Sequence, residues 1–336
     1  MAPRLVHGVA THHWDDWSLA DLLAAKADTP VSLVVPARNE AATVGAVVTK
    51  VREALVETVA LVDEIVVIDS DSTDATYAVA TDAGATVHRA AEIRPDLGSF
   101  RGKGEAMWKS LFVTRGELIV FMDADLLDWD THFVPGLLGP LLTDSGGAVA
   151  VSSAADEQAP SAAWPWTVGL VKGFYERPGE GGALDGGRVT ELVARPLIAA
   201  MFPELGGLIQ PLAGEWAIRR ELLAALTVPT GYAVELAALI DTARLRGIGA
   251  IAQVDLGVRA HRHQALLDLG GMATQIVAAA IARAPGGTAA LPQAPGGGVA
   301  PRETLTLRQF VLESEATQPH EHVVTVAERP PAEGLL

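Results

Sequence analysis

The sequence predicts an α/β fold in which helices flank a mostly parallel sheet. Two observations carry this. A short apolar strand, a polar loop and a helical pattern follow one another twice, over residues 31–56 and 64–83, and strands alternating with helices at this spacing imply βαβ crossovers. Residues 118–122 (LIVFM) are continuously apolar, as a central strand covered on both faces must be.

At 336 residues and 49% hydrophobic content the chain can bury a substantial core as one large domain or two modest ones. Its formal net charge of -16 argues against a general binder of nucleic acid or anionic membranes, which need a basic surface. Anionic small molecules would need local Arg, Lys or metal sites within that acidic field. The absence of cysteine removes disulfides, thiolate catalysis and Cys-ligated metals together. His12, His13, Asp15 and Asp16 stand where a signal peptide would be apolar, and no apolar run approaches a membrane span. A soluble, cytoplasmic protein is expected.

In order, residues 17–27 have helical spacing with Ser18 as a cap, giving residues 1–30 as a helical lead-in on the edge of the main domain. A strand over 31–35 runs through Pro36, Ala37, Arg38, Asn39 and Glu40 into a helix over 41–56. Such a loop turns backbone N–H groups and side chains toward a ligand, although a helix start alone also explains its polar residues. The second unit has a strand over 64–68, a loop Asp69-Ser70-Asp71-Ser72-Thr73-Asp74 and a helix over 75–83, with a third strand at 86–88. Turn and capping chemistry also accounts for that loop.

Lys103 lies between Gly102 and Gly104 ahead of a helix over 106–114. The spacing is not that of a P-loop, since Gly104 stands where Ser or Thr is required. A lysine between glycines at a helix start can still meet a phosphate; an exposed turn is the alternative. The central strand then ends in Asp123-Ala124-Asp125. Ligands of α/β sheets bind beyond the carboxyl ends of the strands, so these acids are candidates to hold a cation and, through it, a phosphate. Asp125 as a turn or helix cap is the rival reading.

Further along, a helix is expected over 131–142, an excursion rich in Gly, Ala, Ser and Pro over 143–166 around a short strand near 148–151, and a strand over 168–175. Gly187, Arg188 and Thr190 at the start of a helix over 191–201 form a good anion site of guanidinium, hydroxyl and free N–H groups. Helices over 214–226 and 231–246, a strand over 250–256 and a long helix over 264–284 follow. Glu235 near a helix start reads first as an N-terminal charge, and His261, in a basic cluster after a strand, is a candidate nitrogen ligand, although a lone histidine is more often structural or on the surface. Residues 285–301 read as a linker, 302–316 as a short helix, and the last twenty as a mobile acidic tail.

Six stretches then fall into a pattern: VVPARNE, IDSDSTD, GKGEAMW, DAD, GGRVTELVARPL and GVRAHR occur in that order. Together they resemble the retaining GT-A glycosyltransferases of family 81 that make glucosyl- or mannosyl-3-phosphoglycerate, over roughly residues 15–285. The Asp-x-Asp stretch alone is weak; the GGRVTEL block with the downstream RAHR is specific. The resemblance implies a Rossmann-like GT-A fold with a nucleotide-sugar half over 31–150, an acceptor-binding subdomain over 151–284, and a linker and tail over 285–336.

The resemblance also implies an activity: transfer of a hexose from UDP-glucose or GDP-mannose to the 2-hydroxyl of D-3-phosphoglycerate, for compatible-solute or methylglucose polysaccharide synthesis. Pro36, Ala37, Arg38, Asn39, Glu40, Ser70 and Tyr232 would then bind the donor. Lys103, Asp123 and Glu235 would contact its phosphate, ribose or sugar and serve catalysis. Asp125 and His261 would ligate a divalent cation, Mg2+ before Mn2+, while Gly187, Arg188, Thr190 and His263 would bind phosphoglycerate. Three departures stand out: Arg38 where many UDP-glucose users carry leucine, His263 in place of asparagine, and residues 152–166 without counterpart. A homodimer is expected from the resemblance and from the prevalence of symmetric dimers. Rival readings are a transferase acting on polyprenyl phosphate or polysaccharide, a non-catalytic sugar-nucleotide-binding protein, and a nucleotidyltransferase.

Overall fold

The computed structural model describes residues 3–144, 165–176, 187–259, 267, 269–285, 304–313 and 316–336. Strands β1 (Arg4–Val6) and β2 (Val9–His13) precede helix α1 (Leu19–Lys26), whose first turn is capped by Ser18 Oγ accepting from Asp21 N. Then come β3 (Val31–Ala37), α2 (Val44–Val51) with a π-helical turn Arg52–Thr58, β4 (Glu64–Asp69), α3 (Thr76–Asp82) and β5 (Thr86–Arg89). Helix α4 (Lys103–Ser110), β6 (Leu118–Phe121), α5 (Phe133–Leu142) and β7 (Leu170–Glu176) follow. A π-helical turn Thr190–Ala194 leads into α6 (Arg195–Met201), then β8 (Trp216–Arg219), α7 (Arg220–Ala225), β9 (Val228–Pro229), α8 (Val234–Arg246) and β10 (Ile251–Val258). The chain continues through α9 (Leu269–Ala282), β11 (Thr304–Glu313), β12 (Ala316–Thr325) and β13 (Glu328–Arg329).

A nine-stranded sheet runs in the order β1-β2-β10-β7-β8-β6-β3-β4-β5. Most neighbours are parallel, but β8 is antiparallel to both β6 and β7, and β1 to β2. Apolar side chains pack on both faces: Val34, Ile119 and Phe121 join one buried cluster, while Leu33, Val35, Val120 and Met122 join the other. Full burial on both sides is why β3 and β6 read as unbroken apolar runs.

Three expectations are corrected. The lead-in is not solely helical, because β2 pairs in parallel with β10 and extends the sheet. The stretch 214–226 is not one helix: its apolar Trp216 and Ile218 face the core as strand β8, and only Arg220–Ala225 is helical. The C-terminal region is neither a short helix nor a loose tail. The alternating residues of β11 pair with β12 as a hairpin, and β13 pairs with β9. The excursion strand near 148–151, most of the 152–166 stretch and nearly all of the 285–301 linker lie outside the described residues.

Candidate active site

The site lies where six strand ends meet. β3 delivers Pro36 and Ala37, β4 leads to Ser70, β6 to Asp123 and Asp125, β7 ends at Tyr175–Glu176, and β10 leads to Arg259. Because β8 runs the other way, its beginning lies at this same edge. Phe121 pairs with Trp216 across β6 and β8, which sets Asp123 opposite the Gly214-Glu215 pair that precedes β8. A Cβ on Gly214 would stand 2.0 Å from Asp123 Oδ2, so any larger residue there must displace the carboxylate.

The two polar loops after β3 and β4 are pinned to each other. Asn39 Oδ1 accepts from Thr73 N (2.8 Å), Ser72 Oγ from Asn39 N (2.9 Å) and Thr76 Oγ1 from Glu40 N (2.8 Å). Asn39 (φ 57°) and Asp71 (φ 58°) take left-handed conformations, which their short polar side chains tolerate. Opposite these loops, helix α4 begins at Lys103 and packs by backbone contact on residues 229–231. A Cβ on Gly104 would stand 1.8 Å from Pro229 O, and Gly102 at φ 141° would meet Thr230 O at 2.3 Å. The glycines flanking Lys103 therefore serve this close approach between two backbones.

Between these walls is a cleft of about 400 Å3, a size suited to a small-molecule ligand. It is lined by Pro36, Ala37, Arg38, Glu40, Ser70, Lys103, Asp123, Asp125, Tyr232 and Glu235, all singled out in the sequence. Asn39 is not among them, its side chain being given to Thr73. Gly187 (φ 92°), Arg188 and Thr190 do not line the cleft. Helix α9 connects the two regions: Met272, Gln275 and Ile276 face the cleft, and the helix also packs against the Thr190–Ala194 turn. His261 and His263 lie outside the described residues.

Charge in the cleft is strongly organised. Lys103 Nζ lies 2.6 Å from Asp123 Oδ1 and 2.7 Å from Glu235 Oε1. Burial pulls its pKa down, but the Asp123 and Glu235 carboxylates outweigh burial and hold the ammonium well above the ordinary lysine value. Arg259, itself buried, donates from Nη1 to Glu215 Oε2 (2.9 Å) and to the Tyr175 hydroxyl. Its Nη2 lies 3.8 Å from Asp123 and 3.7 Å from Asp125. Burial acts to raise the Asp123 carboxyl, but Lys103 and Arg259 overcome it and hold it below the usual carboxylate range. Lys172 Nζ donates to Ala213 O, and burial pulls its pKa down to about 8.

A family model described as Glycosyl transferase family 2 matches residues 32–181. Over 326 residues the chain is 43% identical to the glucosyl-3-phosphoglycerate synthase of Mycolicibacterium smegmatis, covering 95% of each. With that of Mycolicibacterium paratuberculosis it shares 41% identity over 97% of its own length and 92% of the relative's. The chain belongs to the glucosyl-3-phosphoglycerate synthase family. It is a glycosyltransferase with a GT-A-like fold. The glucosyl-3-phosphoglycerate synthase of Mycobacterium tuberculosis, crystallised with Mn2+, uridine diphosphate and phosphoglyceric acid, is 40% identical and superposes with a TM-score of 0.79. That match covers 98% of this chain and 99% of the other. The same enzyme has been crystallised with Mn2+, UDP-glucose and phosphoglyceric acid (TM-score 0.78).

For a member of this synthase family, the fit of a divalent cation can be read from Asp125. Its carboxylate is half exposed to the cleft, and burial together with the Asp123 charge pushes its pKa above the usual carboxylate range. Arg259 and Lys103 offset these effects only in part, and the hard oxygens of such an undercompensated carboxylate suit Mg2+ or Mn2+. Among the described residues no three His, Asp or Glu side chains form a metal cage. No helix among the described residues is long and apolar enough to cross a membrane.

Glu215, Lys172 and Tyr175 escaped the sequence reading, as did Arg101, Leu212, Met272, Gln275 and Ile276 on the cleft wall. A signal for Lys172 existed, since it interrupts the apolar run of β7, and a fully buried lysine needs a partner. Glu215 carries no comparable signal.

Proposed function

We propose that this protein transfers glucose from UDP-glucose to the 2-hydroxyl of D-3-phosphoglycerate, retaining the anomeric configuration. One observation carries the reading: all the residues expected to hold a nucleotide sugar except Asn39 converge on one cleft, in a chain 40% identical to an enzyme crystallised with UDP-glucose and phosphoglyceric acid. In the transfer, the acceptor oxygen bonds to the anomeric carbon, the bond from that carbon to the diphosphate oxygen breaks, and the hydroxyl proton passes to the leaving diphosphate.

The pinned loops after β3 and β4 shape the nucleoside end through Pro36, Ala37, Arg38, Glu40 and Ser70, and Tyr232 borders the donor. Lys103 sets a fixed positive charge beside the donor, while Asp123 and Glu235 orient its ribose and sugar. Asp125 and His261 would hold a divalent cation, which would supply charge neutralisation at the leaving diphosphate. Gly187, Arg188, Thr190 and His263 hold the phosphoglycerate. Glu235 is engaged by Lys103, which weakens it as a nucleophile, so same-face attack assisted by the leaving diphosphate is favoured over a covalent intermediate.

The test is a transfer assay with Mg2+ and D-3-phosphoglycerate, run separately with UDP-glucose, GDP-glucose and GDP-mannose. Product mass and anomeric NMR identify the glycoside. Glucosyl-3-phosphoglycerate of retained configuration from UDP-glucose is expected. A mannoside from GDP-mannose in preference would reassign the donor, and a glycosylated Glu235 found by mass spectrometry would reverse the mechanistic preference.

A further inference from the structure

The last residues of the chain form a strap across the back of the site. β13 pairs with β9, Arg329 opposite Val228 and Glu328 opposite Pro229. Next to this pair, Ala327 O accepts from both the backbone N (2.9 Å) and Oγ1 (3.1 Å) of Thr230. Residues 228–231 are in turn bonded to the start of α4: Glu105 N donates to Thr230 O (2.9 Å) and Gly104 N to Gly231 O (3.2 Å). Three segments thus lie side by side, the outer one from the far end of the chain.

Arg329 fastens this stack. It is 6% exposed, and its partner Glu105 is fully buried. One edge of the guanidinium meets both oxygens of that carboxylate, Nε to Oε2 at 2.7 Å and Nη2 to Oε1 at 2.6 Å. Its remaining donors reach Leu97 O (2.7 Å) and Gly98 O (3.1 Å), and Glu105 Oε1 also accepts from Phe100 N (3.2 Å). The guanidinium also lies near two rings, 4.7 Å from the Phe100 centroid and 4.8 Å from that of Trp108, whose indole N–H donates to Pro330 O (2.9 Å). One side chain therefore fixes the whole 97–105 loop, which carries Arg101 and Lys103 into the cleft. A buried ion pair is weak as a source of net stability but strong as a fixer of geometry.

We infer that Arg329 is a positioning residue for sugar transfer: through Glu105 and the Leu97 and Gly98 carbonyls it registers the Lys103 loop against the 228–235 segment that carries Tyr232 and Glu235. The inference rests on the reading of this cleft as the donor site. The ion pair of Lys103 with Glu235 spans the two segments that the strap joins from behind. A small displacement of one against the other opens that pair, and a misplacement of about 1 Å can cost on the order of a hundredfold in rate.

The experiment compares full-length wild type with Arg329→Gln, Arg329→Lys and a remote core variant, Leu22→Ala on α1, each assayed well below its melting temperature. Two readouts are taken: kcat and KM with UDP-glucose and D-3-phosphoglycerate, and calorimetric affinities for UDP-glucose and for UDP with Mg2+. Arg329→Gln is expected to lower kcat about tenfold or more, to leave UDP affinity and acceptor KM within about threefold, and to weaken UDP-glucose binding relative to UDP binding. Arg329→Lys recovers part of the loss, and Leu22→Ala loses stability alone. Wild-type kinetics and a wild-type ratio of UDP-glucose to UDP affinity in Arg329→Gln, or the same kinetic loss in Leu22→Ala, would overturn the inference. Absence of phosphoglycerate-dependent turnover in wild type would instead overturn the acceptor assignment, and the calorimetric comparison still decides the role of Arg329.

Discussion

Lys103 Nζ lies 2.7 Å from Glu235 Oε1, joining the start of α4 to the start of α8 across the floor of the cleft. The same ammonium holds Asp123 at 2.6 Å. Its raised pKa keeps it charged at any working pH, so it acts as a fixed cation between two carboxylates and not as a proton donor. Electrostatic preorganisation of this kind needs no rearrangement when charge develops on a leaving group.

Lys103→Met should therefore harm both stability and turnover. Removing one member of a buried ion cluster costs about 3 kcal/mol, and loss of a preorganised charge costs about a hundredfold or more in kcat. Denaturant unfolding and steady-state kinetics measure the two effects. A variant with normal turnover would show that the lysine serves the fold alone.

Asp125→Ala should uncouple nucleotide binding from the cation. On the proposed assignment, Asp125 would hold a cation that neutralises the diphosphate, so in wild type Mg2+ should tighten UDP binding by about tenfold or more. In the variant, calorimetry with and without Mg2+ should return closely similar affinities. Undiminished metal dependence would remove Asp125 from the metal site.

Much of this site was legible because its residues sit at the ends of fully buried strands. Runs such as 31–35 and 118–122 announce themselves by composition, and the acids and glycines that follow them fall at the binding edge of any such sheet. β8 was missed because WAIRRELLAAL has apolar positions that satisfy a helix as well as a short strand. Its reversed direction, which brings Glu215 to Asp123, is a property of the assembled sheet. The C-terminal strap was misread for a related reason. Its acidic and proline content resembles a mobile tail, and only burial of Arg329 against Glu105, far away in sequence, shows otherwise. Asn39 lies in the expected loop, but its side-chain oxygen accepts from Thr73 N, a direction that a loop's sequence does not give.

Lys172 makes a prediction about pH. Burial lowers its folded-state pKa to about 8 from an ordinary 10.5. Between those values the unfolded chain binds a proton that the folded chain has released, so stability due to this group rises with pH across that window. Below pH 8 both states are charged and the folded state carries the full cost of burying the ammonium. The window corresponds to about 3 kcal/mol. Denaturant midpoints of wild type and Lys172→Met, compared from pH 7.5 to 10.5, should differ by a margin that shifts in favour of wild type as pH rises. A margin that stays constant would mean that Lys172 does not titrate there.

Gly214→Ala tests whether the antiparallel strand is part of the catalytic arrangement. The added methyl would stand 2.0 Å from Asp123 Oδ2 and 2.4 Å from its Cγ, so the carboxylate must move and its ion pair with Lys103 must stretch or break. Overpacking of this kind costs about 1–3 kcal/mol, whereas displacement of a substrate-orienting group by about 1 Å costs on the order of a hundredfold. Gly249→Ala is the control, because its added Cβ meets nothing within 4 Å and its glycine lies on the turn before β10. Gly214→Ala should fold, melt somewhat lower and lose about a hundredfold in kcat, while Gly249→Ala should keep wild-type kinetics. Equal kinetics in the two variants would mean that Asp123 tolerates displacement, and its orienting role would have to pass to Glu235, the other carboxylate that Lys103 holds.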